Sequence, residues 1–183
     1  VIAPFDLALE RELWRWAPLE VSFPLARTPF EPVPVSLEMA QRVSSVSALQ
    51  DATRDVLGVE PEVVAYLCSS GSFIHGRDGE TVDFLGELDV EVVTQQHLGL
   101  AGGIWRVNYR TVAALVEAAD DPAAEAIFVS CTNLPTYDII DPLERELGKP
   151  VLTANQLTVW ACLARMGLPM MGPGRWLREV FGS

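Results

Sequence analysis

Two short stretches put a thiol where chemistry could use it. VVAYLCSSGS (63–72) and IFVSCTNLPT (127–136) each run an apolar segment into a cysteine, Cys68 and Cys131, and then into small hydroxyl and amide residues. The thiolate is the reactive form of cysteine, with an ordinary pKa of about 8.5. Backbone N–H groups of a following loop favour that anion. Ser69, Ser70, Gly71 and Ser72 supply them after Cys68, and Thr132, Asn133 and Thr136 after Cys131. Gly71 lets backbone and ligand come close, and Pro135 with Thr136 suits the capped start of a following helix. A cysteine in one apolar strand reads as a small buried hydrophobe. Two with the same layout argue for chemistry. Cys162 lies mid-helix in TVWACLARMG on an expected core face and reads as structural.

These cysteines need strands to carry them. VIAP opens as a strand, and DLALERELWRWA, from Asp6, reads as a helix that Asp6 could cap. EVSFPLARTPF reads as a second strand, and the proline-rich FEPVPVSL as a loop. From Ser36 to Val59 the pattern is helical, with a break near 44–47 and a stripe through Met39, Val43, Leu49, Ala52 and Val56. PEVVAYLC reads as a buried strand, VEVVTQQHLGL as a strand and its exit, and YRTVAALVEAAD as an amphipathic helix. Then come strand AEAIFVSC, helix TYDIIDPLERELG, strand KPVLT and helix NQLTVWACLARMG, with Gly148 and Gly167 closing the helices. Strand–helix alternation predicts an α/β fold with parallel sheets flanked by helices. Ligands of such sheets sit at the carboxyl ends of strands. The tryptophans are expected mostly in the core, and PGRWLREVFGS as a short amphipathic helix for a domain or subunit contact, as in a homo-oligomer.

The 183 residues are 49% apolar and 21% charged, a globular composition. The net charge of −12 argues against nucleic acid, which needs a basic surface. No apolar run is long enough to predict a membrane span. VIAPFDLALE has no basic stretch before an apolar core, so no secretory signal is expected. It begins inside a strand pattern, so a few leading residues are expected to be absent. The three cysteines cannot all pair, and no Cys/His metal spacing occurs, so a reduced cytoplasmic setting without a metal is expected.

YLCSSGSF and VSCTNLPTYDIIDPLERELGKPVLTANQ resemble the paired cysteine motifs of bacterial maleate isomerases. Those enzymes group with the arylmalonate decarboxylases in the aspartate/glutamate racemase superfamily. PFDLALERELWRWAP also resembles that family's opening strand, loop and helix, and HLGLAGGIW its later loop. The resemblance implies two similar α/β domains, each with a parallel sheet flanked by helices, and an active-site cleft between them. On this pattern residues 1–80 form the first domain, 81–150 the second, and about 151–183 pack back onto the first. It implies a cofactor-independent isomerase or racemase of a small carboxylic acid. Cys68 would be nucleophile or first acid/base and Cys131 the proton donor. Ser69, Ser70, Thr132 and Asn133 would bind carboxylate oxygens. The alternatives are a decarboxylase of a malonate-type acid, with Cys131 as proton donor, and a catalytically inactive carboxylate-binding protein.

Three departures stand out. The opening loop, Pro4-Phe5-Asp6-Leu7-Ala8, has Asp6 near where the maleate isomerases carry a substrate-binding Asn, which argues against a dianionic substrate. The later loop has Gly102-Gly103, so a pocket lined by Phe5, Gly103 and Trp105 would suit a bulkier acid. The cysteines are 131 − 68 = 63 residues apart, short by at least one βαβ unit of roughly 30 residues, with the apparent omission near 77–81. His75 and His97 invite an acid/base role, but neither belongs to the motif, so surface or structural positions are expected. Tyr109 and Tyr137 could bind a carboxylate, with Tyr137 expected to pack at a helix start.

Overall fold

A computed structural model describes residues 1–73 and 89–181, without the side chains of Phe73 and Phe181. The apparent omission near 77–81 and His75 lie outside the described residues.

The described strands form two parallel pairs. β1 (Ile2–Ala3) lies beside β2 (Ala26–Arg27), with Ile2 opposite Ala26. On the other side of β1, Ile2 N donates to Ala65 O at 2.8 Å and Leu67 N donates to Ile2 O at 2.7 Å. The segment leading to Cys68 therefore runs parallel to β1, through a single bridge from Ile2 to Tyr66 rather than a full strand. The second pair is β3 (Ile127–Val129) and β4 (Val151–Thr153). Period-2 alternation turns Ile127 and Val129 inward and leaves Phe128 exposed.

Parallel neighbours need crossovers, and helices provide them. α1 (Glu10–Arg15) lies between β1 and β2. α2 (Leu37–Val43) and α3 (Val46–Leu57) lead from β2 to the Cys68 segment. The break expected near 44–47 is real, because Ser45 caps α3 by accepting from Ala48 N. α4 (Ser69–Phe73) follows Cys68, and α5 (Tyr109–Ala119) precedes β3. α6 (Ile140–Leu147) joins β3 to β4, and α7 (Ala154–Met166) follows β4 through a capping box of Thr153 and Gln156. α8 (Arg175–Phe181) is the last described helix. Gly148 and Gly167, both at φ 68°, close α6 and α7 in the left-handed conformation. Among the described residues no helix is long and apolar enough to cross a membrane.

One core cluster packs Ala3, Leu7, Leu13, Trp16, Leu67, Ile140, Val159 and Leu163 together. It joins the N-terminal elements to α6 and α7. A second, with Val112, Val116, Ile127, Val129, Leu134, Leu143 and Val151, supports β3 and β4.

Several local expectations change. The region 90–100 contains no strand, and Val90 and Val93 are exposed. α1 begins three residues later than its pattern suggested, and its N-cap is Leu9, so Asp6 does not cap it. α6 starts at Ile140 rather than beside Pro135 and Thr136, because Thr136 binds elsewhere. Trp16 alone of the five tryptophans is fully buried, while Trp14 and Trp105 are exposed.

Candidate active site

The two cysteine loops meet. Cys68 and Cys131 line one cavity of about 290 Å³, together with Pro4 and Asp6 from the loop after β1. Ser36, Ser69, Ser70 and Thr132 complete its polar side. Val35, Leu37, Met39, Val43 and Ile104 form an apolar wall. Among the described residues no lysine or arginine lines the cavity. A larger depression of about 570 Å³ follows the outer face of α3, but it is open to solvent and neither cysteine borders it. Phe5, Gly103 and Trp105 do not line the cavity; Ile104 takes the place expected of the two glycine-loop neighbours. Phe5 packs edge-to-face on Phe30 instead.

The cavity's frame is a set of side-chain clasps. Thr132 Oγ1 donates to Leu67 O at 3.2 Å, tying the Cys131 loop to the residue before Cys68. Asn133 Nδ2 donates to Asp6 O at 2.9 Å, and its Oδ1 accepts from Ala8 N at 3.0 Å. Asn155 at the start of α7 donates to Thr132 O at 3.0 Å. The exits of β1, the Cys68 segment, β3 and β4 are thereby joined. The side-chain amide of Asn133 is engaged in this clasp, and Asn133 does not line the cavity.

Glu12 had no place in the sequence reading and proves central. It is fully buried, and its carboxyl oxygens accept from Thr136 N at 3.1 Å each and from Tyr109 Oη at 2.5 Å. The signal was present: Glu12 stands between the buried Leu9, Leu13 and Trp16 on the helix pattern. Tyr109 therefore binds Glu12. Tyr137 donates to Arg15 O at 3.2 Å and lies under the Arg15 guanidinium.

The sulfurs differ in surroundings. Cys68 is buried and accepts from Gly71 N at 3.3 Å, with Ser70 Oγ 3.5 Å away. Cys131 is pushed up to about 11, chiefly by burial; the N–H groups of Asn133 and Leu134 oppose this, and the charges of Cys68 and Asp6 add to it. At neutral pH Cys131 is thus a thiol that holds a proton. Asp6 is raised by burial, against its backbone hydrogen bond, Arg27 and Asn133. Cys162 on α7 does not line the cavity, and burial raises it too. His97 is exposed. Among the described residues no group of three or more His, Cys, Asp or Glu could hold a metal.

An α/β scaffold with parallel strands that deliver two thiols to one cavity belongs to a recognisable class. The family model for arylmalonate decarboxylase matches residues 63–177, more than half of the 183-residue sequence. The chain belongs to the arylmalonate decarboxylase family, within the Asp/Glu racemase-like superfamily. Solved structures share its fold. The maleate isomerase Iso of Pseudomonas putida S16 is 16% identical over 94% of each chain, with a TM-score of 0.83. A mutant Nocardia farcinica maleate cis-trans isomerase with a covalently bound succinylcysteine intermediate is 19% identical over 97% of this chain and 96% of that one, with a TM-score of 0.77. A double mutant of arylmalonate decarboxylase in its liganded form is 19% identical over 95% of each, with a TM-score of 0.78. No curated protein matches the chain by sequence. These structural relatives are enzymes.

Proposed function

We propose that the protein is a cofactor-independent isomerase or racemase of a small carboxylic acid, working through Cys68 and Cys131 across a cleft between two similar α/β domains. One observation carries the reading: both thiols border the same cavity, one among donors to sulfur and the other held protonated. In an isomerase of an unsaturated acid, the Cys68 thiolate adds to an alkene carbon. The π pair moves to the neighbouring carbon, which takes the Cys131 proton. Rotation about the new single bond, return of that proton and expulsion of the thiolate give the other geometric isomer. In a racemase, Cys68 takes the α-proton and Cys131 delivers one to the opposite face. Ser69, Ser70 and Thr132 border the space for the carboxylate.

The family model favours a second reading. A malonate-type acid would lose carbon dioxide, and Cys131 would protonate the resulting enediolate. Turnover of candidate acids in deuterated buffer tests both. Carbon-bound deuterium without carbon dioxide supports the isomerase or racemase; carbon dioxide release supports the decarboxylase. Binding with neither overturns both and leaves a carboxylate-binding protein.

Asp6 shapes the choice of acid. With no lysine or arginine among the described residues lining the cavity, its carboxylate repels a second substrate carboxylate. Asp6→Asn is expected to lower KM for a dicarboxylate about tenfold at pH 8, from the Coulomb term near a protein surface, and to change KM for a monocarboxylate little. Equal KM changes for both acids would remove Asp6 as the discriminating group.

A further inference from the structure

The mechanism leaves the half-buried Tyr66 hydroxyl unused. Tyr66 precedes Cys68 by two residues, so the extended segment points both side chains to the same side. Both belong to one apolar cluster with Met39 and Val43. Tyr66 Oη donates to Val43 O at 3.2 Å, and its ring packs against the cluster that holds the Cys68 sulfur. The fit is tight on the far side. A Cβ on Gly71 would stand 2.5 Å from Tyr66 Oη and 3.2 Å from Cys68 Sγ. Gly71 is therefore there for space, and its own N–H reaches the sulfur.

A phenol has one hydrogen to give. Beside a neutral thiol, that hydrogen goes to Val43 O. Beside a thiolate, it gains more by turning to sulfur, because a hydrogen bond to a charged acceptor is stronger. Hydroxyl and sulfur both crowd the same point beside Gly71, so the hydroxyl has little distance to cover between the two acceptors. We infer that Tyr66 is a positioning residue for Cys68, a hydroxyl that switches from Val43 O to Sγ when the thiolate forms and so raises its population. Burial and the neighbouring sulfur hold the phenol protonated, hence always able to donate. Among the described residues, two other ionisable groups line the cavity beside Cys68. Asp6 comes from the loop after β1 and Cys131 from the loop after β3. On α2, Glu38 and Arg42 pair with each other at 2.6 Å on the exposed side.

This rests on Cys68 being the nucleophile of the proposed function, but its test needs no substrate. The rate of Cys68 alkylation by iodoacetamide is followed by peptide mass across the thiol titration range, in a Cys131→Ser background. Tyr66→Phe is expected to move the midpoint up by about one pH unit and slow alkylation at pH 7 about tenfold, the weight of one hydrogen bond to an anion. A midpoint and rate unchanged by Tyr66→Phe would overturn the inference. If circular dichroism shows that Tyr66→Phe has not folded, Gly71→Ala decides: its Cβ displaces the hydroxyl, and the same slowing is expected or the inference falls. Turnover that survives loss of Cys131 or Cys68 counts against the two-cysteine reading and leaves the alkylation result standing.

Discussion

Cys131→Ala should lower turnover by about two to four orders of magnitude, the usual worth of a positioned acid or base, whichever of the two enzyme readings holds. Cys68→Ala should do the same to isomerase or racemase activity and spare a decarboxylase. The proton on Cys131 also gives a pH signature. Its folded value, up to about 11, exceeds that of an exposed thiol, so the folded state binds this proton more tightly. The associated stability is present below the unfolded pKa and is lost as pH rises through about 11. A donor role loses activity in the same window, whereas Cys131→Ala removes that part of the stability curve. Folded Cys131→Ala protein that retains full turnover would end both enzyme readings.

Glu12→Ala should cost on the order of 3 kcal/mol, because the buried Thr136 N–H and the Tyr109 hydroxyl lose their shared acceptor. For a chain of this size that corresponds to a fall of about 6–12 °C in Tm. Since Thr136 closes the loop that begins at Cys131, activity should fall even below the new melting point. Urea titration against the parent protein measures the loss. A change under about 0.5 kcal/mol would put Glu12 among ordinary surface positions.

Much of the site could be read in the sequence, and for physical reasons. An apolar run ending in cysteine and small polar residues marks a strand exit, and two such runs mark two exits. Local pattern finds the helix break at 44–47 and Gly148 and Gly167 as helix ends, because those roles depend on immediate neighbours. Glu12 escaped notice because its partners, Tyr109 and Thr136, lie about a hundred or more residues away in sequence. Tyr66 looked like one more residue of a strand; only the closeness of Gly71 shows what its hydroxyl faces. VEVVTQQHLGL has strand-forming residues but no neighbour to pair with among the described residues, so propensity alone produced no ladder there. Asp6 looked equally suited to capping a helix and to lining a site; the late start of α1 removes the first role.

The clasp made by Thr132 and Asn133 has an evolutionary consequence. It couples Leu67, Asp6 and Ala8 to the Cys131 loop through groups that do not change when the apolar wall changes. Val35, Met39 and Ile104 come from other segments, so substitutions there can reshape the room for a substrate while the spacing of the two sulfurs is inherited intact. Reaction geometry and substrate choice thereby become separately heritable traits, and a lineage can explore new acids without first rebuilding its chemistry.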